Sequence, residues 1–304
     1  KEEEYNNFYK ETFFDFENPL KVIHTSVEGM SVDYNAILFI PSKAPFNYYT
    51  KNYEKGIRLY TKGILIMEKC AELLPDYFSF VKGMVDSELT LNISRETIQH
   101  NSQLKRIAKS IQKKIKSELL DMMQSDREKY EKFFNEFGLQ LKYGMYENWG
   151  MNKDEVKDLI LFYSLNEEKM ISFKEYVEKM KDSQKYIYYA QGKSVDAIKL
   201  LPQVEKVREY GYDILCMTEE IDEFAIKVLN EYDKKEFRSV SSGDLGLDEK
   251  EKDIESKKDK EILKFIKDSL DDKIVKVRLS ASLRTHPVCL ASEGDVSIEM
   301  EKVF

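Results

Sequence analysis

A Gly-Lys-Ser triplet at positions 192–194 is the feature of this sequence that comes closest to a nucleotide-binding motif. It follows a predicted strand and precedes a predicted helix, which is where a phosphate-binding loop ends. Such a loop also needs a glycine five positions earlier, so that backbone amides can surround the phosphates. That position is Ile187. We therefore expect a helix-capping turn with Ser194 as the cap, and the sequence contains no other glycine-rich nucleotide loop.

Arg95 is a candidate for contact with a phosphate. It lies in the first turn of a helix predicted to begin at the cap residue Ser94. Unpaired backbone amides and the helix dipole already create a positive potential there. An arginine beside them is a suitable receptor for a phosphate carried by another body. The neighbouring Glu96 offsets the charge of Arg95, so a purely structural role for Arg95 is the alternative.

The same predicted helix has a basic face and an apolar stripe. Basic faces can follow a nucleic-acid backbone, but base-stacking aromatic residues do not alternate with these basic residues. We expect a solvated face and no nucleic-acid partner. The basic residues are Lys105, Arg106, Lys109, Lys113, Lys114 and Lys116, and the stripe is Leu104, Ile107, Ala108, Ile111, Ile115, Leu119, Met122 and Met123.

Metal sites, disulfides and membrane spans are not expected. The three cysteines, Cys70, Cys216 and Cys289, lie far apart, and the chain has three histidines and no Cys-x-x-Cys. An odd, dispersed cysteine count fits a reducing compartment, and we expect a cytoplasmic protein. The longest purely apolar runs, 36–40 and 64–67, are too short to cross a bilayer.

The elements that must position these residues follow from composition and periodicity. The chain has 304 residues, 34% of them charged, a net charge of -8, and 12 glycines. That length suggests about two domains, and the composition favours long solvated helices. Residues 1–16 read as a helix, followed by strands over 22–24, 36–40, 57–60 and 64–67. Helices are also predicted over 68–74 and 155–163. A second α/β unit begins near residue 166, and a strand is predicted over 274–279.

An apolar stripe ends the sequence. Val296, Met300, Val303 and Phe304 recur at helical spacing. Such a stripe usually belongs to a core, but glycine and acidic residues precede it, so an exposed adaptable face is also open. The charged start without methionine and the apolar end predict a piece of a longer protein.

Short segments distributed along the chain resemble the heat-shock protein 90 chaperone family, most closely its bacterial form. The run through Ser94-Arg95-Glu96 is the most specific of them. In family order, the segments are Asn18-Pro19-Leu20, Ser26-Val27-Glu28-Gly29, Ala36-Ile37-Leu38-Phe39-Ile40-Pro41, Ala44-Pro45-Phe46, Phe80-Val81-Lys82-Gly83, Val85-Asp86-Ser87, Leu91-Asn92-Ile93-Ser94-Arg95-Glu96, Ile187-Tyr188-Tyr189 and Ile221-Asp222-Glu223.

The resemblance implies an α+β fold of two αβα units joined by a helical segment. It places a large middle-domain unit at 1–122, a helical connector at 123–165 and a small unit at 166–245. Residues 246–304 would form a charged linker and the truncated start of a carboxy-terminal domain. The amino-terminal domain that holds ATP and magnesium in this family would be absent, so we expect no cofactor and no ATPase activity in this chain alone.

The resemblance also implies roles for individual residues. Arg95 matches the arginine that reaches the ATP γ-phosphate, and Gln99 matches a glutamine that helps dock the amino-terminal domain. Partners would be that domain, unfolded client proteins and, in the longer protein, a second copy in a homodimer. The expected client-binding residues are Phe16, Phe46, Phe224, Val296, Met300, Val303 and Phe304.

The sequence departs from the family at Thr90, where relatives usually have proline, and it is one residue shorter upstream. The strand that leads to Arg95 is therefore in doubt. An alternative function is the transducer domain of a type II DNA topoisomerase or mismatch-repair ATPase, which has a similar fold and also sends a basic residue to a γ-phosphate. A scaffold protein without nucleotide coupling is a further alternative.

Overall fold

The computed structural model describes residues 1–29, 33–88, 102–242, 244–247, 257–270, 274–279 and 287–291. The chain divides into two compact units, Lys1–Leu161 and Phe162–Phe304. The described residues contain nine α-helices and two β-sheets. The predicted α+β class is confirmed.

The first unit is built on a five-stranded sheet. Its strands are β1 (Lys21–Val27), β2 (Tyr34–Ile40), β3 (Ile57–Thr61), β4 (Ile64–Cys70) and β5 (Lys82–Asp86), in the spatial order β1-β2-β5-β3-β4. All neighbours are antiparallel except β3 and β5. Side chains alternate along β3 and β5 between buried and half-buried, as expected when one face of a sheet is fully covered.

Two long helices, α2 (Ser102–Ser125) and α3 (Arg127–Gly150), pack against each other in the first unit. The Tyr34 hydroxyl on β2 hydrogen-bonds Ser110 on α2 at 2.9 Å. Asp126 caps α3 by accepting a hydrogen bond from the Lys129 amide. Aromatic rings fill the core beside α3, including Phe80 stacked on Phe137 at 4.8 Å. A short helix, α4 (Lys153–Val156), and three 3-10 turns, Ala71–Leu73, Asp76–Phe78 and Lys157–Leu159, complete this unit.

Helix α1 (Glu2–Phe13) lies on the other face of the sheet. The rings of Phe8, Tyr9 and Phe13 all contact Phe39 of β2, with centroids 5.1–6.2 Å apart. The Tyr5 hydroxyl hydrogen-bonds His24 of β1 at 2.7 Å. This helix therefore covers part of the face, and its end positions Phe16.

The second sheet has six strands: β6 (Leu161–Ser164), β7 (Lys169–Ser172), β8 (Ile187–Gln191), β9 (Leu215–Met217), β10 (Glu231–Tyr232) and β11 (Lys235–Ser239). Their spatial order is β10-β11-β8-β9-β6-β7. Strands β11, β8 and β9 are parallel. Buried side chains such as Tyr188, Ile198, Val207 and Ile214 form the core between this sheet and its helices. The helices of the second unit are α5 (Phe173–Glu178), α6 (Val195–Lys199), α7 (Pro202–Glu209), α8 (Glu220–Leu229) and α9 (Lys257–Leu270).

Three predicted elements are wrong. Residues 68–70 continue strand β4 because Cys70 pairs with Ile57, and only a 3-10 turn follows. Residues 155–163 divide into the end of α4, a 3-10 turn and strand β6, whose Leu161 and Phe162 are buried. The described residues at 274–279 form no strand. In the first two cases, pairing with distant strands overrides the local helical pattern.

Across the described ranges, no helix combines the length and the apolar character needed to cross a lipid bilayer.

Candidate functional site

The predicted site residues are distributed between described and undescribed parts of the chain. Phe16 and Phe46 lie in the first unit and Phe224 in the second. The two residues assigned to nucleotide contact and the four at the chain end lie outside the described residues; they are Arg95, Gln99, Val296, Met300, Val303 and Phe304.

Phe16 follows α1 on a turn that exposes it almost fully. Helix α1 ends at Phe13, and the C-cap residue Phe14 adopts a left-handed conformation with φ 53°. Phe16 is 98% exposed. Asp15 between them points back to the protein: it accepts a hydrogen bond from the buried Tyr9 hydroxyl at 2.5 Å and pairs with Lys82 at 3.5 Å. Polar anchoring of Asp15 thus holds the turn while its aromatic neighbours face solvent.

The contacts of Asp15 also lower its pKa. Partial burial alone would raise it, but hydrogen bonds from Tyr9 and the Glu17 amide, together with the charge of Lys82, hold the pKa of Asp15 below its ordinary value. The carboxylate form is therefore favoured in the folded protein.

Phe46 lies at the tip of a loop that joins β2 to β3, and it is 100% exposed. Helix α3 holds both sides of this tip through one residue. The Glu136 carboxylate accepts a hydrogen bond from the Ala44 amide at 2.9 Å, and the Glu136 carbonyl accepts one from the Tyr49 hydroxyl at 2.7 Å. The ring of Phe46 is consequently displayed on a loop with fixed ends.

Tyrosines anchor the remainder of this loop. Tyr48 is buried, hydrogen-bonds Ser79 at 2.8 Å and places its ring 5.4 Å from Phe137 of α3. The Tyr53 hydroxyl donates to the Ser79 carbonyl at 3.0 Å. Burial raises the pKa of Tyr53 to about 12, so this phenol stays protonated and remains a hydrogen-bond donor at neutral pH.

Glu17 joins the segment that carries Phe16 to the loop that carries Phe46. Its carboxylate accepts a hydrogen bond from Ser42 at 3.0 Å and forms a salt bridge with Lys43. These hydrogen bonds, the one from Lys43 foremost, lower the pKa of Glu17. The structure thus brings two predicted client-binding segments together, although they are about 30 residues apart in sequence.

Phe224 has a different environment. It lies on α8 and is half-buried, between the buried residues Glu223 and Ala225. The Tyr189 hydroxyl donates to Glu223 at 3.2 Å. Only part of the Phe224 ring is available to a ligand.

The Gly-Lys-Ser triplet and the basic face of α2 both lie within the described residues. The Ser194 hydroxyl accepts a hydrogen bond from the Ala197 amide at 3.1 Å, which confirms the predicted helix cap at the Gly-Lys-Ser triplet. On α2, Lys105, Lys109 and Lys113 are exposed, while Lys114 pairs with Glu118 at 2.7 Å. The predicted apolar stripe of α2 is buried along its whole length.

Cys70, Cys216 and Cys289 are free thiols in the structure. Burial raises the pKa of Cys70 and of Cys216 to about 12, so both remain thiols at neutral pH. Among the described residues, no cluster of three or more histidine, cysteine or carboxylate side chains is arranged to hold a metal ion.

Sequence reasoning missed the residues that hold the aromatic side chains in place. Glu17 and Glu136 read as ordinary acidic residues of charged segments. Their partners lie 25 to 92 positions away, and no local pattern marks such pairs. The sequence did offer one indication of such anchoring: Phe16 lies between two acidic residues, Asp15 and Glu17, directly after a predicted helix.

The fold is that of a chaperone middle domain. It is similar to the middle domain of a putative heat shock protein from Plasmodium falciparum, with a TM-score of 0.69 and 34% sequence identity over 79% of this chain and 95% of that chain. The sequence model described as Hsp90 protein matches residues 1–304. The chain belongs to the Hsp90 family, and the resemblance found in the sequence is confirmed.

The curated proteins that are similar to this chain include bacterial chaperones. Chaperone protein HtpG of Clostridium perfringens is 58% identical over 305 residues, and that of Bacillus subtilis is 57% identical over 308. Each alignment covers 100% of this chain and 49% of the relative. The chain thus spans about half the length of the curated relatives that it matches.

Proposed function

We propose that this chain is the middle part of an ATP-dependent chaperone and that it binds unfolded client proteins. The observation that carries the proposal is the pair Phe16 and Phe46: both are almost fully exposed, and both lie on segments joined through Glu17. Large apolar side chains held in water by polar anchors are typical of protein-binding surfaces. Family membership favours this function over the transducer domain of a DNA enzyme.

The client surface of the first unit comprises Phe14, Phe16 and Phe46. An unfolded protein exposes apolar side chains that the folded state would bury, and contact with these rings removes apolar surface of both partners from water. Fixed loop ends reduce the conformational entropy that binding would otherwise cost. Phe224 of the second unit, and Val296, Met300, Val303 and Phe304 at the chain end, are further client contacts in this proposal.

Binding of a permanently unfolded protein tests the client surface. Reduced and carboxymethylated lactalbumin serves as the probe, and fluorescence anisotropy measures Kd. The double variant Phe16→Ala, Phe46→Ala should bind about tenfold more weakly, because two rings lose part of their buried area. Leu200→Ala is the matched control, since Leu200 is 78% exposed but lies in the second unit. Equal Kd values for the double variant and the native chain would refute the surface.

The proposed role of Arg95 and Gln99 concerns ATP hydrolysis in the longer protein. ATP with magnesium, held by an amino-terminal domain, supplies the γ-phosphate, and the Arg95 guanidinium stabilises its negative charge. Gln99, four positions further along the sequence, would help to dock that domain. The longer protein would act as a homodimer.

Steady-state ATPase assays test this role in the full-length protein. Arg95→Ala should lower turnover by about 10³-fold, the lower end of what such arginines contribute, with nucleotide affinity nearly unchanged. Arg106→Ala, at an exposed position of α2, is the control. Unchanged turnover in Arg95→Ala would show that another group stabilises the phosphate.

A further inference from the structure

Within the part of the chain that the structure describes, the outer edge of β4 is an unpaired, apolar sheet edge. Strand β4 ends the order of the five-stranded sheet and pairs with β3 on its inner side. No other strand among the described residues pairs with it. A sheet edge presents alternating backbone N–H and C=O groups, which are a template for another extended chain.

The first half of β4 lacks the charged residues that usually protect such an edge. Ile64 is 64% exposed and Leu65 40% exposed, and Ile66 and Met67 follow them. The charges begin at Glu68, which pairs with Arg58 at 3.1 Å. Apolar, uncharged edge strands are sites of strand addition.

The opposite edge of the sheet gives a contrast within the same unit. Strand β1 carries Lys21, which pairs with Glu118 of α2 at 2.9 Å, and His24, which hydrogen-bonds Tyr5 of α1. Helices therefore contact that edge strand on both faces of the sheet. Among the described strands, both β1 and β4 end the sheet, and β4 is the one that carries large exposed apolar side chains, Ile64 and Leu65, beside its open backbone groups.

We propose that the edge of β4 binds an extended, apolar segment of an unfolded polypeptide by adding it to the sheet as a further strand. Backbone hydrogen bonds would supply affinity independent of sequence, and Ile64 and Leu65 would favour apolar side chains. This inference rests on the proposed client-binding function and names the conformation in which the client is held.

The occupant follows from two features of the edge. Its open groups are backbone donors and acceptors, which an extended polypeptide complements with its own backbone. The stretch from Ile64 to Met67 contains no charge, so a bound segment needs no charged side chain opposite it. An apolar segment of a non-native protein meets both conditions.

The β4 edge is also continuous with the proposed client surface. Leu65 pairs with Tyr60 of β3, on the sheet face that also carries Arg58. The Arg58 guanidinium lies 5.7 Å from the centre of the Phe13 ring, at the end of α1. Phe13 precedes the exposed Phe14, so one bound chain can contact both the strand edge and the exposed rings.

Hydrogen exchange with a defined peptide tests the inference on the 304-residue chain. The probe is a twelve-residue peptide of alternating valine and threonine with two lysines at each end. Its matched control carries the same side chains with every central amide N-methylated, which removes the backbone donors while leaving the chain extended and apolar. At saturation by the first peptide, those amides of residues 64–67 that point away from β3 should exchange about tenfold more slowly, and the amides of β1 should not change. The methylated peptide should bind about tenfold more weakly.

A variant provides the second measurement. Leu65→Lys should weaken peptide binding about tenfold by placing a charge at the edge, and Leu200→Lys, on the other unit, should not. Circular dichroism confirms that each variant is folded.

Each outcome decides the inference. If carboxymethylated lactalbumin binds in a manner that depends on Phe16 and Phe46 but residues 64–67 gain no protection, the strand addition is refuted and the proposed function stands. Equal binding of the methylated peptide refutes it in the same way. Protection of residues 64–67 that rises with protein concentration without peptide identifies a second copy of the chain as the occupant. If neither the peptide nor lactalbumin binds, the proposed function fails, and this inference fails with it.

Discussion

Replacing Glu136 with alanine tests whether α3 holds the loop that presents Phe46. In the native protein the Glu136 carboxylate accepts the Ala44 amide at 2.9 Å. A buried hydrogen bond to a charged group contributes about 1.5–3 kcal/mol. Glu136 is half-exposed, and solvent screening reduces the expected loss to about 1 kcal/mol. Because 1.4 kcal/mol corresponds to a factor of about ten, the loop should open about fivefold more often.

Amide hydrogen exchange of residues 44–49 measures this opening. Glu136→Ala should increase their exchange about fivefold, and it should weaken binding of carboxymethylated lactalbumin by no more than the same factor, because the ordering cost is then met on binding. Glu136→Gln keeps a hydrogen-bond acceptor, so its exchange rate should lie between those of the native chain and Glu136→Ala. Asn135→Ala, at the exposed neighbouring position on α3, controls for general loosening of the helix. Unchanged exchange in Glu136→Ala, or an equal increase in Asn135→Ala, would refute the anchoring by Glu136.

Four further predictions concern stability and are read from urea unfolding curves. Tyr9→Phe should cost about 1–2 kcal/mol, because the hydroxyl that binds Asp15 is lost from a buried ring; a loss near zero would contradict the anchoring of the α1 turn. The folded pKa of Asp15 is lowered, so its stabilising contribution is complete above the unfolded value of about 3.9 and disappears as the pH falls through the folded value. Asp15→Asn should therefore flatten the pH dependence of stability below about pH 4, and an unchanged slope would rule this out. Ser194→Ala should cost about 1 kcal/mol through loss of the helix cap, whereas a phosphate-binding loop would show phosphate-dependent stabilisation that this substitution abolishes. Gly144→Ala should cost about 1–3 kcal/mol, because the new methyl group would lie 2.4 Å from the β-carbon of Tyr77; a neutral effect would mean that α3 can move away from the 3-10 turn.

The long helix α2 shows how much periodicity alone can specify. Every residue of the apolar stripe predicted for it is buried in the structure, because residues spaced three and four apart share one helix face whatever packs against them. The cap at Ser194 was predictable for a similar reason, since its partner, the Ala197 amide, is three residues away. The family was recognisable from short segments because each specifies a local structure or a site residue.

The ends of the strands, and the contacts that hold the loops of the exposed phenylalanines, involve partners that are distant in sequence. Residues 68–70 have a helical composition, but Cys70 pairs with Ile57 and the strand continues. The loop that carries Phe46 is hydrogen-bonded to Glu136, which is 92 positions from its partner Ala44. Polar contacts between segments that are distant in sequence hold the loop while its apolar side chain faces solvent.

The sequence by itself determined the class, the family and the faces of the long helices, because these follow from spacing within a few residues. Tertiary structure decided which apolar residues reach solvent. Phe39 and Phe46 are seven positions apart on consecutive segments, yet α1 covers the first and water surrounds the second. It also decided that β4, with its uncharged first half, ends the order of the described strands, since that order is set by pairing between residues up to 51 positions apart, as between Asn35 and Asp86.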